Sequence, residues 1–121
     1  MSGEAIFVGW GQVARGREQL ALQVFQEATE YWTKLQQGGK IESFQPFLLR
    51  PHGGDLEGFW LIHGERSALD EMQASDEFIR LITRAGAVVD NIGVTAAVTD
   101  EALGSQMGSF AEVAQGLPQA T

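Results

Sequence analysis

Two short segments of this chain are apolar on both of their sides, and that limits what the chain can fold into. In AIFVGW, residues 5 to 10, Ile6, Val8 and Trp10 alternate with Ala5, Phe7 and Gly9; in GFWLIHG, residues 58 to 64, Phe59, Leu61 and His63 alternate with Trp60, Ile62 and Gly64. Both runs are rich in strand formers and bounded by glycine, and successive side chains of a strand point to opposite faces. Neither set is polar. A sheet built around such strands needs cover on both faces.

Helices supply cover for one of them. From Arg17 to about Gln37, apolar residues recur at Leu20, Val24, Ala28, Tyr31 and Leu35, flanked by Ala21, Phe25 and Trp32, a broad stripe at helical spacing. Glu30 and Lys34 stand in the favourable i,i+4 order on the wet side, and Gly38-Gly39 ends the helix. A second helical pattern runs from Arg66 to about Arg84 through Leu69, Met72, Phe78, Ile79 and Ile82, with Ala85 just beyond. Ser67 with Asp70 resembles a capping pair; Ser75, followed by Asp76 and Glu77, resembles a second helix start, which predicts a bend near Ala74–Ser75. Ile41 to Pro51 and Asn91 to Thr99 read as further strands, the first confined to a sheet edge by Pro46. The segment PHGGDLE supplies a hairpin loop.

The order strand, helix, strand, strand, helix, strand, with right-handed crossovers, predicts an α+β fold of ferredoxin-like βαββαβ type over residues 1–100. Its four-stranded antiparallel sheet would carry both helices on one face. Residues 101–121 are left as a C-terminal tail, in which Leu103, Met107, Phe110, Ala114 and Leu117 follow helical spacing while Gly104, Gly108 and Gly116 each oppose helix by about 1 kcal/mol. The bare face would exceed the few hundred Å² of contiguous apolar surface that monomers usually tolerate. A second copy, sheet against sheet, is the expected cover, since closed twofold dimers are the commonest assembly; the tail folding back is the rival.

The element order, the two-faced strands and the stretch ASDEFIRLITRA, residues 74 to 85, resemble the dimeric α+β barrel superfamily over about Ala5 to Thr99. The resemblance implies two ferredoxin-like sheets packed into a barrel, with a cavity between sheet and helices in each subunit. Superfamily members include cofactor-independent monooxygenases, haem-degrading enzymes and small-molecule isomerases, so the resemblance fixes fold better than function. The Asn, Trp and His set of the haem-degrading relatives is not convincingly reproduced, Asn91 being the only asparagine here.

Sixteen acidic against eight basic side chains give a formal charge of −8, with no basic cluster to neutralise phosphates, so nucleic acid and anionic membranes are poor partners. The absence of cysteine removes disulfides, thiolate nucleophiles and cysteine-ligated metal sites. No apolar run approaches the ~18 residues of a spanning helix. The first residues, MSGEAIFVGWGQ, lack a basic segment followed by an apolar one, which predicts a cytoplasmic protein.

Both histidines lie within HGGDLEGFWLIH, residues 52 to 63. A turn centred on Gly54 and Asp55 would set Pro51 opposite Gly58 and His63 near Pro46, leaving the imidazoles more than ~15 Å apart, too far to share a metal. His52 reads as a polar loop residue. His63 is the candidate for catalytic proton transfer, although a strand-end histidine bonded to a carbonyl or water is the commoner case. Trp10 and Trp60 are the candidate walls of a ligand pocket, and Arg50 beside the hairpin loop is a candidate carboxylate contact, though it equally suits the blunting of an edge strand. GWGQVA, residues 9 to 14, matches G-x-G-x-x-A, but no parallel strand ending in an acidic residue follows about 20 positions on, so no dinucleotide is expected. Asp55 and Glu57 read as solvated turn acids. The expectation is a homodimer without metal or cofactor. It would be either a monooxygenase- or isomerase-like enzyme acting on a small apolar or aromatic molecule, or a non-catalytic binding or assembly module whose interior its own side chains fill.

Overall fold

The computed structural model describes residues 3–118. Its strands are β1 (Glu4–Trp10), β2 (Ser43–Leu48), β3 (Gly58–His63) and β4 (Gly93–Val98). They form one antiparallel sheet in the order β2-β3-β1-β4, which places the two doubly apolar segments at its centre. The helices are α1 (Glu18–Gln37), α2 (Arg66–Ala74), α3 (Asp76–Gly86) and α4 (Asp100–Gln115). The fold is the ferredoxin-like α+β arrangement, with a fourth helix added after the last strand.

One face of the sheet carries the core. Ile6, Val8, Trp60 and Ile62 are buried in one cluster with Ala28 and Trp32 of α1, Leu69 and Met72 of α2, and Phe78 of α3. Because side chains alternate along a strand, those four sheet residues share a side, so all three helices cover the same side. Ala5, Phe7, Phe59, Leu61 and His63 then point the other way, joined across the sheet by Phe47 and Ser43. There Phe59 stacks between Phe7 at 5.0 Å and Phe47 at 4.7 Å between ring centroids. Gly9 allows this row, because a Cβ there would stand 2.5 Å from the Phe7 ring.

Local chemistry sets the helix boundaries. α1 ends at Gly38, followed by Gly39 at a φ of 74°, a left-handed turn that glycine adopts without strain. Ser75 accepts the Phe78 N–H at 3.2 Å and donates to the Met72 carbonyl at 2.7 Å, so one hydroxyl closes α2 and opens α3 where the bend is expected. The Ser67–Asp70 pair does not cap. The helix begins one residue earlier, at Arg66 after Glu65, and Asp70 instead meets Arg66 at 3.3 Å. Lys34 likewise reaches Glu77 of α3 at 3.4 Å. A second tie between α1 and α3 is bidentate, Arg84 donating to both Glu27 oxygens at 2.7 and 3.0 Å.

The β2–β3 pairing differs from the expected one by three residues. Leu48 faces Gly58, Pro46 faces Trp60 and Ser43 faces His63. Strand pairing stops at Leu48 because residues 49–57 form a loop with internal bonds of its own. Leu49 N–H donates to the Glu57 carbonyl at 2.9 Å. The His52 ring sits inside the loop, its Nδ1 accepting the Gly54 N–H at 3.2 Å and its Nε2 donating to the Leu56 carbonyl at 2.7 Å. Strand β2 is correspondingly shorter than Ile41 to Pro51, and Pro46 lies on an edge strand.

The tail is helical despite its glycines, but it does not fold back. None of the α4 residues is buried, and Met107, Phe110 and Val113 are each more than half exposed.

Ser75→Ala should cost about 1 kcal/mol, read from urea unfolding, since it removes the cap shared by α2 and α3. The Arg84 guanidinium holds the Glu27 carboxyl below its ordinary range through their hydrogen bonds. The pair therefore stabilises the fold above the ordinary glutamate pKa, and that stability is lost as pH falls through the lowered one. Arg84→Ala should accordingly lower Tm slightly near neutral pH and reduce the further fall in Tm on acidification.

Candidate functional site

A cavity of about 440 Å³ lies between the helices and the end of the sheet where β1 exits. Val8, Trp10 and Trp60 form its sheet wall. Ala21, Val24, Phe25, Ala28 and Trp32 of α1 form the opposite wall, and Leu81, Ile82 and Ala85 of α3 close the side together with Val88, Val89 and Ile92. Val13, Leu22 and Leu48 stand exposed at its rim.

The volume follows from side-chain size. The stripe of α1 that faces the sheet places alanine at 21 and 28, two helical turns apart, and α3 places Ala85 across from them. Larger residues lie around these gaps and prop the layers apart. Phe25 stacks on Trp60 at 4.8 Å between ring centroids and meets Trp10 edge-on at 6.1 Å, while Trp32 meets Trp60 edge-on at 6.2 Å. Arg17, just before α1, donates to the Ala87 carbonyl at 2.6 Å and ties the two walls together.

The lining holds no histidine, lysine or arginine, and its single carboxylate is Glu18, which is exposed and accepts the Gly16 N–H at 3.1 Å. The Trp32 indole Nε1 is buried without a hydrogen-bond partner among the described residues. Such a cavity favours a flat apolar molecule through area and ring stacking, and its walls place no charge in the interior.

The expected site residues do not converge. Trp10 and Trp60 line the cavity together. His63 lies three residues beyond Trp60 on β3 and so on the opposite face of the sheet, half-buried between Ala5 and Ser43 of the neighbouring strands. Arg50 is exposed in the 49–57 loop and outside the lining. His52 and His63 sit at opposite ends of β3, with His52 committed to its loop. In GWGQVA, Gly11 donates to the Asp90 carbonyl at 2.7 Å, and a Cβ there would stand 3.1 Å from the Asp55 carbonyl oxygen, so this glycine serves a close backbone approach.

Asp55 and Glu57 line a smaller polar hollow of about 210 Å³ with Gln12, Asp90 and Asn91, the last at a φ of 54°. Among the described residues, no group of three or more His, Asp or Glu side chains is placed to hold a metal ion. No described helix is long and apolar enough to cross a membrane. The sequence reading places Ala21, Ala28 and Ala85 in the helical stripes without assigning them to a cavity, and their signal is small size on an otherwise bulky apolar stripe.

No protein-family model matches the chain, and no curated protein is significantly similar to it in sequence. Solved structures do match. A dabb family protein with a ferredoxin-like fold from Mesorhizobium loti superimposes with a TM-score of 0.62 at 11% identity, over 81% of this chain and 98% of that one. SnoaB, a cofactor-independent oxygenase from Streptomyces nogalater, gives 0.59 at 15% identity, over 84% and 97%. A dimeric protein of unknown function from Bacteroides fragilis gives 0.57 at 9% identity, over 80% and 97%. At these identities the likeness concerns architecture. With its sheet order and its three helices on one face, the chain has a ferredoxin-like fold.

Proposed function

We propose that this protein is a homodimer in which each subunit binds a flat, uncharged, largely aromatic small molecule in the cavity between α1, α3 and the sheet. The observation that carries this reading is the lining itself, in which three tryptophans and a phenylalanine surround about 440 Å³ with no charged group except Glu18. An anionic ligand would lose hydration there without a partner to replace it, and a cationic one would meet only the exposed Glu18 carboxylate. A planar apolar ligand gains contact area and ring stacking.

The dimer rests on the outer face of the sheet, where Phe7, Phe47, Phe59 and Leu61 are only half-buried in a single chain. Support comes from the dimeric ferredoxin-like protein that shares the fold. Sedimentation equilibrium at micromolar concentration should give twice the 13.1 kDa chain mass. A monomer at every concentration would end this part of the proposal.

A second reading, supported by the likeness to a cofactor-independent oxygenase, makes the bound aromatic a substrate for oxygen. In it the walls orient the molecule and exclude water, and the proton transfer expected of His63 has no place in the same subunit's cavity, because the sheet lies between them. Oxygen uptake with electron-rich polycyclic phenols separates the two readings: turnover supports the second, and binding without turnover the first.

All three tryptophans of the chain line the cavity, so intrinsic fluorescence reports its occupancy directly. Naphthalene- or anthracene-sized neutral aromatics should quench it saturably, and charged analogues of the same size should bind at least tenfold more weakly. Ala28→Leu, which places a branched side chain in the cavity, should abolish the quenching while the protein remains folded by circular dichroism. Quenching of equal strength in the variant would show that the ligand binds elsewhere.

A further inference from the structure

The outer face of the sheet holds a single side chain that changes charge near neutral pH, His63. By strand pairing that face consists of twelve residues, three from each strand. Eight are phenylalanine, leucine, alanine or glycine, and Ser43, Gln45 and Thr95 are polar without charge. His63 is the twelfth. It stands on central strand β3 between Ala5 and Ser43, half-buried already in one chain and in line with Leu61 and Phe59 on the same side of its strand.

The charged groups around His63 belong to other sides of the molecule. Glu4 precedes Ala5 on β1 and so takes the helix side, where Arg66 of α2 meets it at 3.4 Å. Glu42 is exposed just before β2, and Glu65 is exposed just before α2. Asp100 and Glu101 are exposed beyond β4, a strand that β1 separates from β3. Helices α1 and α3, with their own charges, lie across the sheet.

Twofold symmetry gives this composition its weight. An isologous contact presents the same patch from both subunits. Whatever the angle between two such faces, His63 therefore meets one of eleven uncharged residues or the partner's His63. None of these is an acid. A neutral imidazole enters such a contact as one donor and one acceptor, which serine, threonine and glutamine side chains can satisfy. A protonated one loses water without gaining a counter-charge, and a like charge arrives with the other subunit.

We propose that His63 is a proton switch for the homodimer, buried between the two sheets when neutral and separating them when charged. The inference rests on the homodimer reading above and adds its regulation. Two protons must leave for each dimer formed, so the dissociation constant rises as pH falls, by up to about a hundredfold per pH unit. Overall charge acts in the opposite direction. With a net charge of −8 and a pI near 4.6, mild acidification weakens the mutual repulsion of two chains and by itself tightens their association. A dimer that loosens in mild acid thus has the sign of the switch and not of the net charge.

Two measurements on the full chain test it. Sedimentation equilibrium at pH 8 and pH 5.5, with the fold checked at both by circular dichroism, should show a dissociation constant at least tenfold higher in acid for the parent and no higher in acid for His63→Gln. At pH 8 alone, His63→Lys, which carries its charge there, should raise the constant at least tenfold over the parent. A parent dimer as tight or tighter at pH 5.5, a His63→Gln variant that loosens in acid as the parent does, or a His63→Lys variant that dimerises like the parent refutes the switch and leaves the dimer standing. A parent that is monomeric at both pH values removes the homodimer reading as well.

Discussion

Trp60 is the point on which the two layers of this molecule meet. It lies on central strand β3 with Phe25 stacked above it, Trp32 against its edge and Phe44 beside it at 6.0 Å. Sheet and α1 are held together through these rings, and so is the distance between them. Rings of this size set a layer separation that alanine cannot fill, which is why Ala21, Ala28 and Ala85 leave open volume. The core and the cavity are therefore two results of one packing arrangement. Substitutions at Trp60 would change stability and binding together.

The same strands bear a second obligation on their reverse side. Phe59 follows directly before Trp60, so adjacent residues of one strand build the cavity wall and the outer aromatic row. A single chain shelters only the first. The fold itself requires no more than three helices on one face; what distinguishes this chain is the additional apolar helix that leaves β4 without cover of its own.

Much of this architecture was legible in the sequence, because it depends on short-range periodicity. The alternation in AIFVGW and GFWLIH marked two strands apolar on both faces, and the stripe through Val24, Ala28 and Trp32 marked α1. Ser75 marked the helix break through a local hydrogen bond. Features set by distant partners were less visible. The β2–β3 register depends on how the 49–57 loop closes around His52, which no spacing rule contains. Lys34 finds Glu77 across two helices instead of its neighbour Glu30. Trp10 and Trp60 were readable as a pair because both lie on the core side. The placement of His63 apart from them was also encoded, since three residues along a strand reverse the direction of a side chain. The cavity's volume was hidden because it depends on what small residues leave unfilled.

The break at Ser75 has a consequence for how this sequence tolerates length changes. In an uninterrupted helix each residue turns the next by about 100°, so one inserted residue rotates everything beyond it off its target. Here α3 starts from its own cap, and its angular phase is independent of α2. An insertion at the junction would be absorbed by the extended linkage, leaving Phe78 on the core and Ala85 on the cavity, whereas the same insertion in the middle of α1 would carry Trp32 off Trp60. Natural variation in chain length should therefore be tolerated at this joint and excluded from the centre of the first helix.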